Sequence, residues 1–197
     1  MLMLSEPLGR ALEAAGARNR FTGREKAPGK VVYLSPSGRP FDQELAGELA
    51  AEEELILLCG RYEGIDQRII DAYADDEISV GDYVLSSGEV AALVLIDATY
   101  RLADSVITPE SLEEESFSGG LLEYPQYTRP EIYDIMQVPE ILLSGHHVNI
   151  RRWRRKKQVE KTLALRPDLI QQGEAQGLFD AETCKLIEEL RGYDERD

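Results

Sequence analysis

The sequence predicts an α/β protein built on a parallel sheet, and two observations carry this prediction. Short runs of aliphatic and β-branched residues alternate with segments of helical periodicity along the first half of the chain. Such alternation places helices on both faces of a parallel sheet. The chain has 197 residues, 43% of them hydrophobic, which is enough to bury a sizeable core.

Six segments make up this α/β region. Three short apolar runs bounded by turn residues are predicted to be strands: KVVYLS at 30–35, ELILLCG at 54–60, and DEISVGDYVLSSGE at 76–89, which runs into a glycine loop. Apolar residues at helical spacing predict three helices: FDQELAGELAAEE at 41–53, IDQRIIDAYA at 65–74, and the largely buried VAALVLIDATYRLA at 90–103.

The composition and periodicity of the sequence change after about residue 104. DSVITPESLEEESFSGG is acidic, contains serine and glycine and has little periodicity, so it is typical of a linker or mobile loop. Then comes the proline-punctuated stretch YPQYTRPEIYDIMQVP, followed by predicted helices at about 145–164, 167–173 and 180–192. The predicted organisation is therefore a first domain at 1–108, an interdomain loop at 109–118 and a helical domain at 119–197.

The composition argues against several classes of protein. No apolar stretch approaches the length of a membrane span, and the longest apolar run, VAALVLI at 90–96, is interpreted as core. Cys59 and Cys184 lack the spacing of a metal site or a disulfide framework, so both are predicted to be buried thiols in a reducing compartment. No export leader is recognised at the start of the sequence, which favours the cytoplasm.

The charge balance argues against a nucleic-acid partner. The chain has 22 lysines and arginines against 37 acidic residues, whereas nucleic-acid binders are usually basic. A phosphate, however, responds to charges within about 8–10 Å. The run RRWRRKK at 151–157 breaks the acidity. Two interpretations stay open for it, the solvated face of a helix and a surface that contacts nucleic-acid phosphates.

Three glycine-containing loops follow the three predicted strands. They are YLSPSGRP at 33–40, CGRYEGID at 59–66 and VGDYVLSSGE at 80–89. Ligands of open α/β sheets bind beyond the carboxyl ends of the strands, where such loops meet. None of the three matches a dinucleotide or P-loop fingerprint. An ordinary turn would explain any single loop, but three in succession favour a ligand site, because glycine lets the backbone approach a ligand closely.

Five segments carry a resemblance to a known family. YLSPSGRPFDQ, LCGRYEGIDQRI, SVGDYVLSSGEVAALVLID, SFSGGLLEYPQYTRP and LLSGHHVNIRRWR together resemble the bacterial tRNA (guanine-N1)-methyltransferases, the TrmD type of the trefoil-knotted SPOUT enzymes. The resemblance runs from Met1 to about Pro167. It implies a SPOUT-type parallel sheet with a deep trefoil knot and a small helical C-terminal domain that binds tRNA.

The resemblance implies that the strand-end loops bind S-adenosylmethionine in a bent conformation. Adenine requires apolar walls and backbone hydrogen bonds, which Leu34, Leu85 and the loop amides can provide. Glu63 is acidic where a sulfonium ligand would bring positive charge. Carried over by position, the cofactor-binding residues are Tyr33, Leu34, Gly60, Tyr62, Glu63, Gly64, Val80, Gly81, Tyr83, Leu85 and Gly88.

The implied reaction is methylation of N1 of guanosine-37, the nucleotide next to the tRNA anticodon. It requires a base for the N1 proton and a cation for the charge that develops toward O6. The corresponding residues are Glu115, where the family has aspartate, and Arg101. Apart from the resemblance, Glu113, Glu114 and Glu115 are typical of a solvated acidic linker, and Arg101 is typical of a cation at the C-terminus of a helix.

The resemblance also implies a set of tRNA contacts. His146 and His147 are adjacent and cannot face one metal as an i, i+4 pair does, so they are interpreted as helix N-terminal or substrate-contacting groups. No protein metal site is predicted, although the resemblance suggests magnesium. The residues predicted to bind tRNA are Ser116, His146, Arg151, Arg152, Arg154 and Arg155.

The chain departs from the family pattern at several points. Ser87 and Gly88 stand where the family has consecutive glycines, and Ala91 stands where proline is common. Ser87 leaves the pocket open but would be strained at an angle that needs glycine. Family members also carry a further segment before Met1, with a first strand of the sheet and a glycine-rich loop. Without it, a strand neighbour would be unpaired and apolar surface exposed.

Three functional hypotheses follow from the sequence. The main one is a tRNA (guanine(37)-N1)-methyltransferase that acts as a homodimer, with the active site between subunits. The second is a non-catalytic remnant of this family that binds the cofactor or RNA. The third is a related knotted methyltransferase that acts on another RNA, against which the motif LLEYPQYTRP argues.

Overall fold

The chain folds into two compact units, which the computed structural model describes at residues 1–22, 29–103, 106 and 115–194. The units are Met1–Ile107 and Thr108–Asp197. Glu113 and Glu114, with most of the predicted interdomain loop at 109–118, lie outside the described residues. The bounds predicted for the two domains, 1–108 and 119–197, and the roles predicted for them therefore remain predictions.

The first unit is an α/β unit with a parallel sheet and helices, as predicted. Its three strands lie in the order β2-β1-β3, and β1 pairs in parallel with both neighbours. The strands are β1 (Lys30–Pro40), β2 (Leu55–Cys59) and β3 (Asp76–Ser79). The helices are α1 (Ser5–Ala14), α2 (Gln43–Ala50), α3 (Gln67–Tyr73) and α4 (Gly88–Tyr100).

Helices cover β1 on both faces of the sheet. Val31 and Tyr33 pack into one apolar cluster, which contains residues of α1 and α3. Val32 and Leu34 point to the opposite face and pack into a second cluster with residues of α2 and α4. Successive side chains of a strand point to opposite faces, so a strand that is covered on both faces reads as a continuous apolar run.

Aspartate caps determine where two of the helices begin. The side chain of Asp42 accepts a hydrogen bond from the backbone N–H of Leu45 at 2.9 Å, at the start of α2. The side chain of Asp66 accepts one from the N–H of Arg68 at 3.0 Å, at the start of α3. Such caps typically stabilise a helix by about 1 kcal/mol. The helices predicted at 41–53 and 65–74 therefore begin slightly later than predicted.

The extents of two strands differ from the prediction. The strand predicted within 76–89 ends at Ser79, where the serine hydroxyl accepts a hydrogen bond from the N–H of Gly81 at 3.2 Å and closes a turn. β1 continues to Pro40 instead of ending near Ser35, because after an irregularity Arg39 and Pro40 pair again with β3. Tertiary pairing, which local propensity does not contain, decides the end of β1, whereas a local turn ends β3.

The helix α4 was predicted to be largely buried, but only one side of it faces the core. Ala91, Ala92, Leu95 and Thr99 face the core. The other side carries large apolar side chains in solvent: Val90, Leu93, Val94, Ile96 and Tyr100 are 47–67% exposed. The prediction was wrong because an all-apolar helix can be covered either by its own chain or by a partner.

The second unit is mainly helical. It contains a 3₁₀ turn at Ser118–Gly120 and a short antiparallel hairpin, β4 (Ile132–Tyr133) and β5 (Met136–Gln137). The hairpin was missed because two-residue strands have no detectable period. The helices are α5 (Glu140–Leu143), α6 (His147–Leu165), α7 (Pro167–Gln176) and α8 (Ala181–Asp194).

The helices of the second unit pack around a small apolar core. Leu121, Val159, Ile170 and Ile187 form its buried centre. Pro167 stands at the first turn of α7, and Gly177 ends that helix with φ of +68°. No helix in the described part of the chain combines the length and the apolar character that a membrane span needs.

Candidate active site

The three strand-end loops of the first unit surround one pocket of about 410 Å³. This volume lies within the range of small-molecule sites, about 300–1,000 Å³. All the residues predicted to bind a cofactor line this pocket: Tyr33, Leu34, Gly60, Tyr62, Glu63, Gly64, Val80, Gly81, Tyr83, Leu85 and Gly88. Residues that are up to 55 positions apart in sequence, Tyr33 and Gly88 at the extremes, thus meet at one edge of the sheet.

Two of the loops touch each other through glycine. The N–H of Gly88 donates a hydrogen bond to the carbonyl of Gly60 at 2.9 Å. A Cβ atom on Gly88 would lie 2.8 Å from the backbone nitrogen of Gly60 and 2.9 Å from the Cα of Cys59. Backbone atoms cannot rotate away as side chains do, so this contact requires glycine at position 88.

The loop at 60–64 combines a left-handed turn with acidic and aromatic side chains. Tyr62 has φ of +60° and Gly64 has φ of +121°, so the chain reverses tightly between β2 and α3. The Glu63 carboxylate contacts the amino group of Met1 and is 69% exposed. This carboxylate already has a cationic partner, so a cationic ligand at the pocket wall would replace or share the contact with Met1.

An ion pair joins this loop to the start of α4. The Nε of Arg61 donates to Glu89 Oε1 at 2.8 Å. The pKa of Glu89 is lowered, first by a hydrogen bond from its own backbone N–H, then by Arg61 and Ser87. Arg61 also lines the pocket but was not predicted as a site residue. The feature of the sequence that could have identified Arg61 as a pocket residue is its position between Gly60 and Gly64.

The third loop is held by its tyrosine. The hydroxyl of Tyr83 donates to the carbonyl of Val80 at 3.0 Å. Gly81 has φ of +148°, and a Cβ atom there would lie 2.5 Å from the ring of Tyr83. The glycine therefore allows the ring to fold back over the loop, which sets the shape of that pocket wall.

Tyr33 lines the pocket next to Gly60. Its side chain is 8% exposed, and a Cβ atom on Gly60 would lie 3.5 Å from the ring. Burial raises the pKa of the Tyr33 hydroxyl, and the nearby charge of Glu77 adds to the effect. The hydroxyl therefore stays protonated at neutral pH and can donate a hydrogen bond.

The two predicted catalytic residues belong to different units. Arg101 is half-buried and directly follows α4, with its N–H donating to the carbonyl of Asp97 at 3.3 Å. Glu115 is half-buried in the second unit. The hydroxyl of Ser116 accepts a hydrogen bond from the N–H of Glu123 at 3.0 Å, which leaves its own hydrogen to donate. Cooperation of Arg101 and Glu115 stays a prediction.

The basic run on α6 divides between two faces of the helix. Arg151 and Arg154 line a pocket of about 820 Å³ beside the segment 124–129. Arg152 and Arg155 line a different groove of about 540 Å³, next to α8. Successive residues on a helix are about 100° apart, so the four arginines separate into two pairs with different neighbours. That all four bind tRNA stays a prediction.

The predicted thiols and histidines have mixed environments. Cys59 is half-buried, whereas Cys184 is exposed, so the prediction of a buried thiol is wrong for Cys184. Burial raises the pKa of the Cys59 thiol, and the charge of Glu89 raises it further. His146 is exposed and precedes the first residue of α6. Within the described residues, no three histidine, cysteine or carboxylate side chains form a metal cluster.

The fold and the pocket define a class of protein. It is an α/β protein with a ligand pocket at the carboxyl ends of parallel strands, followed by a mainly helical unit. A sequence model of the family described as tRNA (Guanine-1)-methyltransferase TrmD matches residues 1–172. The chain belongs to this family.

Named relatives have high sequence identity to the chain. A tRNA (guanine-N(1)-)-methyltransferase of Treponema denticola is 60% identical over 190 residues, which are 96% of this chain and 74% of the relative. The protein of that name from Treponema pallidum is 54% identical over 190 residues, 96% of this chain and 72% of the relative. A third, from Borreliella burgdorferi, is 57% identical over 171 residues, 86% and 68% of the two chains.

Proposed function

We propose that the protein transfers a methyl group from S-adenosylmethionine to N1 of guanosine-37 in tRNA. The observation that carries this proposal is the pocket at the strand ends, which collects all the residues of the predicted cofactor set in a member of the TrmD family. Relatives named as tRNA (guanine-N1)-methyltransferases, at 54–60% identity, support it. Neither these relatives nor the described residues favour a non-catalytic remnant.

The pocket residues fit S-adenosylmethionine. Leu34, Leu85 and Val80 provide apolar surface for an adenine ring, and the loop backbones provide hydrogen-bonding groups. The exposed carboxylate of Glu63 lies on the wall, where a sulfonium would exchange with or share its contact with the Met1 amino group. When bound, S-adenosylmethionine would supply an electrophilic methyl group, whose bond to the sulfonium sulfur would break with its electron pair on sulfur, so that a neutral thioether leaves.

The protein residues manage the proton and the charge of the guanine. In the proposed mechanism the Glu115 carboxylate takes the proton from N1, so that the nitrogen lone pair can form the new bond to carbon. The negative charge that develops on O6 is stabilised by hydrogen bonds from the Arg101 guanidinium. The tRNA then leaves with N1 methylated, and Glu115 returns its proton to solvent.

The proposed mechanism contains no step that uses a magnesium ion. Magnesium prefers several oxygen ligands in octahedral geometry. Among residues 1–22, 29–103, 106 and 115–194, no three histidine, cysteine or carboxylate side chains come together to hold such an ion. The described donor set therefore does not fit magnesium bound by protein groups alone.

The experiment that tests the function is single-turnover methylation of a tRNA transcript with radiolabelled S-adenosylmethionine. The parent protein should transfer the label to guanosine-37. Glu115→Gln keeps the shape of the side chain but removes its basicity, so the rate should fall by about 10²–10⁴-fold. Binding of S-adenosylmethionine, measured by calorimetry, should be unchanged.

Glu114→Gln is the matched control for this experiment. It removes one carboxylate from the neighbouring position of the same acidic run. If the run is only a solvated linker, the two variants should be equally active. A Glu115→Gln rate within about threefold of the parent, well below a general-base loss, would refute the catalytic assignment.

We also propose that the protein acts as a homodimer, with α4 in the interface. The exposed side of α4 carries an apolar stripe, with Leu93 67% and Tyr100 63% exposed. Val84 in the third pocket loop, 86% exposed, adds further apolar surface. A monomer rarely leaves a contiguous apolar surface of this kind in solvent, and a second copy would cover it close to the cofactor pocket.

Sedimentation velocity at micromolar concentration tests the dimer. Leu93→Glu places a charge in the proposed interface, so it should give monomers and lower methyl transfer without unfolding the chain. Leu165→Glu is the control, because Leu165 is 64% exposed and lies in the second unit. A parent protein that is monomeric and fully active would contradict the proposal.

The deep trefoil knot is likewise part of the proposal. Close backbone approaches support it: a Cβ on Gly38 would lie 2.4 Å from the backbone nitrogen of Ile78, and Gly88 approaches Gly60 similarly. Such contacts occur where one segment passes tightly beside another.

With tRNA as substrate and a reducing environment for its free thiols, the protein is proposed to act in the cytoplasm.

A further inference from the structure

The second unit contains a pocket that no step of the proposed mechanism uses. It has a volume of about 820 Å³ and lies between the segment 124–129, the helix α5 and the first half of α6. We refer to it as the α6 pocket. Neither Glu115 nor Arg101 lines it. The pocket therefore lacks the groups assigned to proton removal and charge stabilisation.

Two aromatic residues of the α6 pocket are fixed by neighbours. The guanidinium carbon of Arg154 lies 4.6 Å from the centre of the Tyr124 ring, which is 6% exposed. The ring of Tyr127 lies 6.4 Å from that of Trp153, at a tilt of 53°. Tyr127 is nevertheless 48% exposed. The Tyr127 ring is thus held at the pocket by its neighbour Trp153 and is still about half exposed to solvent.

The charge of the α6 pocket is opposite to that of the chain as a whole. Its lining contains Arg129, Arg151 and Arg154 against the single carboxylate of Glu131, in a chain with a net charge of −15. Within the described residues, Arg129 and Arg151 form no ion pair of 4.0 Å or less. A polyanion would therefore find cationic groups available at this pocket.

The opposite face of α6 is different because acidic residues neutralise it. Arg152 lies 3.4 Å from a carboxylate oxygen of Glu182. The groove on that face also contains Glu189. The pKa of Asp180 is lowered chiefly by hydrogen bonds from Thr183, with a smaller contribution from the charge of Arg155. Of the two faces, the one that carries Arg151 is better suited to contact RNA, because Arg151 has no such acidic neighbour within 4.0 Å among the described residues.

We propose that the α6 pocket binds an unpaired nucleobase of the tRNA, distinct from the guanosine that is methylated. Proteins recognise single-stranded RNA by stacking bases on aromatic rings or on arginine planes, while cations contact the adjacent phosphates. Tyr127 supplies the ring, and Arg129 and Arg151 supply the cations. The inference rests on the proposed function, since it takes tRNA as the substrate.

Trp153 makes this proposal measurable because it is the only tryptophan of the chain. A base that stacks on Tyr127 changes the environment next to Trp153, so titration with a tRNA transcript should change the tryptophan emission. Tyr127→Ala should weaken tRNA binding by about 5- to 150-fold, the range measured for one stacked base. Tyr133→Ala is the control, because Tyr133 is 65% exposed in the same unit but does not line the pocket.

Abasic substitutions identify the bound nucleotide. Transcripts that lack the base at one unpaired position at a time are titrated against the parent and against Tyr127→Ala. One abasic position should weaken binding to the parent by a similar factor, and the same change should have no further effect in Tyr127→Ala. Equal losses in both proteins at every position, or parent-like binding by Tyr127→Ala, would overturn the inference.

The methylation assay separates this inference from the proposed function. If the parent methylates tRNA but Tyr127→Ala binds and quenches like the parent, the pocket proposal fails and the function stands. If the parent binds tRNA with the expected loss in Tyr127→Ala but transfers no methyl group, the function fails and the pocket proposal stands. Arg151→Ala should also weaken binding more than Arg152→Ala, and should reduce the slope of log affinity against log salt by about 0.7–0.9.

Discussion

Replacing Gly88 with alanine should distort the strand-end pocket in which we propose that the cofactor binds. The added Cβ would lie 2.8 Å from the Gly60 nitrogen and 2.9 Å from the Cys59 Cα. Contacts become ordinary only at 3.4 Å, so the two loops would have to separate by about half an ångström. Overpacking of this kind typically costs about 1–3 kcal/mol of unfolding free energy. Gly88 has no positive φ, so the cost arises from the contact alone.

The separation of the loops should affect the reaction more than the stability. A misplacement of about 1 Å near the reacting groups can cost on the order of a hundredfold in rate. We therefore expect Gly88→Ala to lower methyl transfer by about tenfold or more and to weaken cofactor binding measurably. Urea denaturation gives the free energy of unfolding, and calorimetry with S-adenosylmethionine gives the affinity.

Gly47→Ala is the matched control for Gly88→Ala. Gly47 lies within α2, and a Cβ atom there meets nothing within 4 Å. Alanine in a helix interior is favoured over glycine by about 0.5–1 kcal/mol, so this variant should be slightly more stable and fully active. If Gly88→Ala kept the stability of the parent and a cofactor affinity within about twofold of it, the close approach of the loops would be refuted as a requirement.

Two further predictions concern titrating groups of the first unit. Cys59 should react with a thiol reagent about tenfold or more slowly than the exposed Cys184, because it is half-buried and its pKa is raised; equal labelling rates, measured by mass spectrometry, would contradict this. Arg68 lowers the pKa of Asp66 to about 2, below its ordinary value of 3.8. The ionised carboxylate therefore stabilises the fold above about pH 4, and this contribution is lost as the pH falls toward 2. The gap in urea midpoint between the parent and Asp66→Asn should shrink over that interval, and a constant gap would show that the ion pair does not contribute.

The sequence predicted which loops line the strand-end pocket, but not which residues surround the basic helix. The residues of the cofactor set lie in three loops that each follow a strand, and parallel strands bring their carboxyl ends to one edge of the sheet. Arg61 was missed because its ion pair with Glu89 joins two loops, and a pairing of that kind depends on the folded backbone. That the arginines lie on several sides of α6 follows from helix periodicity, whereas the residues that line the pocket beside each pair depend on the folded backbone.

By itself the sequence determined the α/β class, the approximate positions of most elements and the loops that form the pocket. These follow from local properties, since apolar periodicity and glycine-containing turns depend on residues that are close together in the sequence. Only the tertiary structure decided where β1 ends, that one side of α4 is exposed, and which arginines of α6 lie beside Tyr127. Each of these depends on contacts between residues distant in the chain, whose free energies are absent from any short window of sequence.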